Sequence, residues 1–311
     1  MTTTENIHIR EACPICASTA TVSLLRIPFT SAPISDYFIA HYEGRADFTR
    51  LGASEYSVEQ CKQCEFIFQS TVPAGALLAE LYDQWIPISE KSRLHGIGDL
   101  NKYRYLAGQV EFLIQHLAMP PSEISVLDFG LGWAEWGNMA RAYGLKVSGS
   151  ELSVERINYA RSIGFEMLSW AEIPQNLFHF INTEQVFEHL VSPREILQHL
   201  AKALHPNGVI RISVPDACGM QKKLKALPRL AILPKGYLMP IAPLEHVNGF
   251  TYKSLVILGK QAGLKPVRPS LRAMYNGSSG WFEIKQFAKN LLRPLARHIY
   301  PKSTVVYFSK I

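Results

Sequence analysis

Along the middle of the chain, apolar residues recur with two different periods. A helical period runs over residues 101–117, 136–143 and 153–163, where apolar positions fall three or four residues apart. Short apolar runs between and after these segments predict strands at 124–129, 146–150, 165–168, 178–183 and 209–214. Alternating strands and helices of this kind predict an α/β domain, with a parallel sheet covered by helices on both faces.

The pattern continues toward the carboxyl end. A capping box that starts at Ser192, with Pro193 at the first helical position, predicts another helix. Two later apolar runs, 264–271 and 303–309, predict strands that close the sheet. The segment 282–299 between them is basic and amphipathic. That pattern is typical of a solvated helix, and it also suits a weak contact with an anionic or membrane surface.

The chain is long and apolar enough for one large domain and a smaller module. It has 311 residues, of which 47% are hydrophobic, and a formal net charge of +6. This modest positive charge does not by itself predict nucleic-acid binding. No apolar run is long enough to cross a bilayer, and the first residues, MTTTENIHIREAC, lack the charged start and apolar centre of a secretory signal. We therefore expect a cytoplasmic protein without a transmembrane segment.

Four of the five cysteines form two pairs near the amino terminus. Cys13-Pro-Ile-Cys16 and Cys61-Lys-Gln-Cys64 are separated by 44 residues. Two such knuckles can present four thiolates to one tetrahedral Zn²⁺, which leaves no open position for substrate, so we predict a structural zinc site. Two disulfides or a redox-active pair are the alternatives. The fifth cysteine, Cys218, is expected to be a small buried hydrophobic residue.

Turn-rich segments predict the limits of the domains. We expect a zinc-binding module over 1–72, a connecting segment over 73–100 and the α/β domain over 101–311. An apolar, proline-punctuated insertion at about 217–248 is expected to form a lid over one end of the sheet. The segment 29–50 shows no clear period, and its role is not evident from the sequence.

The stretch VLDFGLGWAEWG, residues 126–137, combines a strand, a glycine turn and the start of a helix. At such a turn, unpaired backbone N–H groups and the missing side chains of Gly130 and Gly132 allow a ligand to come close. A dinucleotide-binding fingerprint would have glycine or alanine at position 135, where this chain has Glu135. The turn therefore predicts a ligand site of another kind.

Several motifs resemble those of the class I S-adenosylmethionine-dependent methyltransferases. Asp128, two positions before the first glycine, and the small residue Ala134 resemble motif I of that family. FHFINTEQVFEHL resembles its "FDxI…EVLEH" segment, with His179 in place of the usual acid. LHPNG at 204–208 resembles its "LKPGG" turn, with Asn207 in place of one glycine, and asparagine tolerates the left-handed conformation expected there. The resemblance covers about residues 100–270. It implies a Rossmann-like domain with a seven-stranded, mostly parallel sheet.

The resemblance also implies a set of residues that contact S-adenosylmethionine. These are Asp128, Gly130, Gly132, Glu151, Trp170 and Glu184. Glu151 ends the second strand, where a carboxylate can accept hydrogen bonds from the ribose hydroxyls, although a surface glutamate at a strand end is also common. Trp170 either stacks on the adenine or covers the edge of the core.

Two histidines are candidates for the chemistry. His189 follows the fourth strand, at the end of the sheet where open α/β folds bind ligands. His246, in PLEHVNGF, matches a family segment of the form "HxxxF". Either histidine can instead have a structural role. Our hypothesis is that His246 lines the acceptor site and acts as a base.

Three classes of function remain open at this point. A zinc module joined to this kind of domain resembles small-molecule methyltransferases, including those that act on sugars or nucleotide-sugars, and this is our leading prediction. A noncatalytic cofactor-binding or scaffold protein is the second class, because the chain departs from the family motifs at several positions. The third is a nucleic-acid methyltransferase, which is disfavoured because no basic run interleaved with aromatics lies near the cysteines.

Overall fold

The computed structural model describes residues 6–86, 100–230, 232–268, 270–276, 291, 292, 295 and 304–311. The chain divides into two compact units. Unit 1 is built from described residues within Met1–Ser89, Phe187–Arg194 and Val214–Leu258, and unit 2 from those within Glu90–Val186, Glu195–Ser213 and Gly259–Ile311. Unit 1 is thus assembled from three separate stretches of chain. The domain limits expected from the sequence stay a prediction.

The strands of the described residues are numbered in chain order. They are β1 (Ile7–Ile9), β2 (Thr21–Pro28), β3 (Glu55–Cys61), β4 (Ile67–Gln69), β5 (Thr71–Pro73), β6 (Ser125–Phe129), β7 (Lys146–Ser150), β8 (Glu166–Met167), β9 (Phe178–Glu184), β10 (Leu204–Ser213), β11 (Asn248–Gly249), β12 (Leu264–Val267) and β13 (Val305–Lys310).

The α-helices are numbered in the same way. They are α1 (Ile34–His41), α2 (Gly75–Glu80), α3 (Leu100–Leu117), α4 (Glu135–Ala142), α5 (Val154–Ser162), α6 (Pro193–Lys202), α7 (Met220–Ala226), α8 (Tyr252–Gln261) and α9 (Leu271–Asn276). No helix of the described residues has both the length and the hydropathy that crossing a membrane would need.

Unit 1 contains two small antiparallel sheets packed with aromatic side chains. β1 pairs with β5, and a second sheet has the order β11-β4-β3-β2. Phe29, Phe38, Tyr42 and Trp85 are almost completely buried in its core. Burying a large apolar side chain stabilises a fold by roughly 1.5–3 kcal/mol. The segment 29–50, which has no clear period, therefore contributes three of these core aromatics.

Unit 2 is a seven-stranded sheet in the order β12-β13-β10-β9-β6-β7-β8. All neighbouring strands are parallel except β13, which is antiparallel to both β10 and β12. Val126 and Phe180 of the central strands are buried, and Trp136 of α4 stacks on Phe180 at 5.9 Å. The predicted Rossmann-like sheet, seven-stranded and mostly parallel, is confirmed.

Some local predictions differ from the structure. β10 begins at Leu204, and its pairing with β9 is irregular between Leu204 and Val209. Neither Asn207 nor Gly208 has the positive φ expected for a family-like turn. A Cβ on Gly208 would lie 2.8 Å from the carbonyl oxygen of Phe178, so close backbone packing requires glycine there. Most of the basic segment predicted at 282–299 lies outside the described residues.

Candidate functional site

The glycine turn between β6 and α4 lies at the carboxyl edge of the unit 2 sheet. Gly130 and Gly132 have φ of +76° and +57°, which residues with a side chain rarely adopt. The Gly130 N–H donates to the carbonyl of Ser150 at 2.8 Å. A Cβ on Gly130 would lie 2.5 Å from Val186 Cγ2, whereas one on Gly132 would meet nothing within 4 Å. Packing therefore requires glycine at 130, while Gly132 borders open space that a ligand can enter.

Glu151 follows β7, and its carboxylate holds the glycine turn. One oxygen accepts the N–H of Gly132 at 2.9 Å, and the other accepts the N–H groups of Leu152 and Ser153 at 2.9 and 3.1 Å. A carboxylate offers about four lone-pair sites, so three donors leave room for one further hydroxyl. The structure thus places Glu151 against the glycine turn, and its ribose-binding role stays a prediction.

Trp170 lies in the loop after β8, and 47% of the residue is exposed. The imidazole of His199 covers one face of the indole, with ring centroids 3.6 Å apart and planes within 9° of each other. His199 Nε2–H also donates to the carbonyl of Trp170 at 2.8 Å. Stacking of Trp170 on an adenine, which stays a prediction, would therefore have to use the opposite face.

A chain of four polar side chains, buried except at the half-buried Glu184, crosses three strands beside the glycine turn. Asn182 Nδ2 donates to Asp128 Oδ1 at 2.9 Å, and Arg211 Nη1 donates to Asn182 Oδ1 at 2.9 Å. Arg211 also forms an ion pair with Glu184. We call these four residues the polar chain. It joins two of the predicted cofactor-binding carboxylates, Asp128 and Glu184, through Asn182 and Arg211, for which the sequence predicted no role.

The charges of the polar chain follow from its burial. Burial raises the pKa of Asp128 to about 7, because the hydrogen bond from Asn182 offsets only part of the desolvation. Burial alone would lower the pKa of Arg211, but Tyr307 and Glu184 together raise it above its usual value. Arg211 is therefore charged, whereas Asp128 is partly protonated near pH 7. The sequence signal for this buried charge is an arginine, Arg211, inside the apolar run VIRISV, because a charge inside an apolar strand needs a partner.

The four paired cysteines converge in unit 1. Cys13 Sγ lies 3.5 Å from Cys64 Sγ, Cys16 Sγ lies 3.5 Å from Cys61 Sγ, and all four sulfurs are within 4.8 Å of one another. All are free thiols rather than disulfides. Contrary to expectation, the fifth cysteine, Cys218, is exposed.

The two knuckles have the same backbone geometry. In the first, the N–H of Ala17 donates to the carbonyl of Cys13 at 2.9 Å, and Ala17 is left-handed with φ of 59°. In the second, the N–H of Glu65 donates to the carbonyl of Cys61 at 2.9 Å, and Glu65 has φ of 61°. Each C-x-x-C therefore folds into one tight turn that directs both thiols to the same side.

The donor set fits a zinc ion. Zn–S bonds of about 2.3 Å in a tetrahedron place sulfurs about 3.8 Å apart, close to the separations observed. The hydrogen bond between Cys13 and Cys64 lowers the pKa of Cys13 and raises that of Cys64, so Cys13 is the first of this pair to become the thiolate that zinc requires. Cys13, Cys61 and Cys64 are buried and Cys16 is half-buried. Such a site is closed, which suits a structural metal.

The two candidate histidines lie together in unit 1. The rings of His189 and His246 have centroids 4.7 Å apart at an angle of 85°. The fully buried carboxylate of Glu188 is beside them, and the possible ligand atoms of all three residues lie within 4.8 Å of one another. The Tyr82 hydroxyl contacts His189 Nδ1 at 3.0 Å. We call Glu188, His189 and His246 the histidine cluster.

Hydrogen bonds favour one tautomer in each ring. His246 Nδ1 bonds to the carbonyl of Met239, and His189 Nδ1 bonds to the carbonyl of Glu245 at 3.0 Å. A carbonyl oxygen only accepts, so Nδ1 carries the proton and Nε2 keeps its lone pair. Burial lowers the pKa of His246 below its ordinary value, which keeps the ring neutral at pH 7. Nε2 of His246 is thus equipped to take a proton.

Buried polar side chains outside any motif fix the loops that carry the histidines. The Arg10 guanidinium donates to the carbonyls of Val191 and Val247 at 2.7 and 3.1 Å. Gln69 donates to the carbonyl of His246 at 2.9 Å. Burial lowers the pKa of Arg10 to about 9. These contacts span up to 237 positions of sequence, which is why no local pattern indicated them.

The chain is similar to several solved structures, but no curated protein matches it. PKMT2 from Rickettsia typhi is 15% identical, with 67% of this chain and 53% of that chain covered and a TM-score of 0.42. The plantazolicin methyltransferase BpumL, solved in complex with SAH, is 16% identical, with 74% and 91% covered and a TM-score of 0.44. This chain spans about half the length of PKMT2. Likeness at this level carries no conclusion about activity.

The family model gives the assignment. The model described as "Methyltransferase domain" matches residues 101–268, more than half of the 311-residue chain. The match contains the glycine turn, Glu151, Trp170 and the polar chain. The chain therefore belongs to the methyltransferase domain family, and its predicted resemblance to the class I S-adenosylmethionine-dependent methyltransferases is confirmed.

Proposed function

We propose that this protein transfers a methyl group from S-adenosylmethionine to a small molecule, with sugars and nucleotide-sugars as the first acceptors to test. The observation that carries the proposal is the glycine turn, where Gly132 borders open space and donates its N–H to Glu151. This arrangement lies within the segment that matches the methyltransferase family. We assign Asp128, Gly130, Gly132, Glu151, Trp170 and Glu184 to cofactor binding. We also place the protein in the cytoplasm, which cell fractionation would test.

Methyl transfer mainly requires the protein to orient the acceptor and exclude water. S-adenosylmethionine, when bound, supplies a methyl carbon activated by its sulfonium. The acceptor atom would bond to this carbon as the carbon–sulfur bond breaks, and the sulfur would keep the electron pair. We propose that His246 Nε2 takes the proton that the acceptor loses. The hydrogen bond at Nδ1 leaves the Nε2 lone pair available, and burial lowers the pKa of His246. His189 is assigned to the same proton-transfer chemistry.

The zinc ion is proposed to be structural. The four thiols of Cys13, Cys16, Cys61 and Cys64 would hold it and leave no position for substrate. Its contribution would be to stabilise unit 1, whose loops carry the histidine cluster. Metal analysis of the purified protein is expected to give one zinc per chain.

Cofactor binding is tested first, by calorimetric titration with S-adenosylmethionine and its demethylated product. We expect saturable binding, and weaker binding in Glu151→Ala because a hydrogen-bond acceptor and the support of Gly132 are lost. Glu155→Ala is the matched control, since Glu155 is an exposed carboxylate four residues away. No heat and no thermal shift with either ligand would contradict the proposal.

The acceptor class is tested with methyl-labelled cofactor and fractionated cell extract. Label in the small-molecule fraction is the expected result, and mass spectrometry then identifies the product. Label in nucleic acid would favour the third class of function considered from the sequence. Binding of the cofactor without transfer to any fraction would favour a noncatalytic protein.

A further inference from the structure

Helix α7 and the residues after it form a strongly basic, exposed segment of unit 1. We call it the basic face, and its members are Lys222, Lys223, Lys225, Arg229 and Lys235. All five are exposed. No acidic residue occurs between positions 217 and 244. Among the residues that the structure describes, none of the five has an ion-pair partner.

Packing of α7 fixes the direction of these charges. Met220 and Leu224 are buried and belong to the apolar core of unit 1. Lys222 and Lys225 are exposed, and at 100° per residue they fall on the side of the helix opposite to the buried pair. Packing of the same helix therefore holds Lys222 and Lys225 of the basic face outward, where they present positive charge to solvent.

Exposed aliphatic side chains accompany the charges. Ile232 is 83% exposed and Met239 is 50% exposed. Ile232 lies three residues from Arg229 on one side and three from Lys235 on the other. The basic residues can bind anionic headgroups while an aliphatic side chain enters the boundary between headgroups and acyl chains. The combination is typical of proteins that lie on an anionic bilayer.

A nucleic-acid surface would need a different composition. Binding to single strands uses aromatic rings with open faces on which bases stack. The one aromatic residue between positions 217 and 244 is Tyr237. The Lys223 ammonium lies 5.3 Å from its ring centroid, and its hydroxyl donates to the Lys223 carbonyl at 3.0 Å. This ring is thus occupied within the basic face. The exposed aliphatic side chain of Ile232 also forms no hydrogen bond or ion pair with a sugar–phosphate backbone.

We propose that the basic face docks on the surface of an anionic lipid bilayer, with Ile232 entering the headgroup region. The contact is peripheral and electrostatic, so it weakens as salt screens the charges. It uses side chains that the proposed methyl transfer does not use, and it stands or falls independently of that proposal.

The test is flotation of the full-length protein with lipid vesicles. We expect binding to vesicles of phosphatidylcholine with 30% phosphatidylglycerol at low salt, and little binding to phosphatidylcholine alone. The triple variant Lys222→Glu/Lys223→Glu/Lys225→Glu is expected to weaken partitioning on the order of 100-fold or more. Each lysine near an anionic surface strengthens binding by about five-fold, and three such contributions multiply. Ile232→Asp is expected to reduce the binding that survives at high salt.

A matched variant distinguishes the effect of the basic face on vesicle binding from the effect of net charge. Lys202→Glu/Lys260→Glu/Lys265→Glu changes the charge by the same amount at exposed positions of other elements. We expect it to bind vesicles nearly as well as the unchanged protein. Equal loss in both triple variants, no binding to anionic vesicles, or binding to heparin or RNA but not to vesicles would each overturn the proposal. Circular dichroism confirms that each variant is folded.

Discussion

The glycine turn of unit 2 and the histidine cluster of unit 1 are built in opposite ways. Residues 128–151 supply the glycine turn and its carboxylate, and backbone hydrogen bonds from adjacent strands hold it. The histidine cluster joins residues 188, 189 and 246, and it depends on Arg10 and Gln69 from far along the chain. A site of the first kind is formed by one short, continuous stretch of the chain. A site of the second kind exists only when a whole unit has folded.

This difference predicts how each site fails. Damage to the fold of unit 1 should abolish the histidine cluster, whereas the glycine turn should respond only to changes within or beside the turn. Four tests, taken from the largest expected effect to the smallest, break or refine this contrast.

Cys61→Ser is expected to have the largest effect. Structural zinc sites contribute apparent free energies of about 10–16 kcal/mol in small zinc domains, so losing one ligand should remove the metal and unfold unit 1. Metal content and proteolysis of residues 6–86 measure this. Binding of S-adenosylmethionine is expected to persist. Cys218→Ser, at the exposed fifth cysteine, is the control and should change neither quantity.

His246→Ala is expected to reduce turnover by roughly 10²–10⁴-fold, the usual contribution of a general base. Labelled methyl transfer to the identified acceptor measures the rate, and calorimetry should show unchanged cofactor affinity. His8→Ala is the control, since His8 is an exposed histidine of the same unit. Unchanged turnover in His246→Ala would remove this residue from the mechanism.

The two glycines of the turn are expected to respond differently. Gly132→Ala adds a Cβ that meets no atom, so its cost in unfolding free energy should be about 1–2 kcal/mol for the left-handed backbone. Gly130→Ala bears the same cost plus the contact 2.5 Å from Val186. Thermal unfolding should therefore rank Gly130→Ala as less stable. Equal stability of the two variants would contradict the assignment of Gly130 to packing.

Glu245→Gln is expected to have the smallest effect, on the pH profile of turnover. His246 must be neutral to accept a proton, so the rate rises as pH increases through its pKa, which burial holds below the ordinary value. The charge of Glu245 raises the pKa of His246. Removing that charge should therefore move the acidic limb to lower pH, by less than about one unit. A shift to higher pH would contradict this reasoning.

Sequence patterns predicted the sheet of unit 2 because its strands and helices each carry a local apolar period. They also predicted the convergence of the four cysteines, since C-x-x-C spacing determines a turn. They did not predict Arg10, Gln69 or Asn182, whose partners are distant in sequence. They were wrong about the turn at Asn207 and Gly208, because close approach of Phe178, rather than a left-handed conformation, requires the glycine.

Unit 1 is formed by three stretches of the chain, and two of them are inserted within the sequence of unit 2. No single cleavage or truncation can therefore release either unit intact. During evolution, the metal-binding module could not be exchanged as one continuous cassette while keeping its core, because Leu224 and Leu227 of that core are encoded after most of the methyltransferase sheet. Recombination at the end of the first stretch would yield two incomplete proteins.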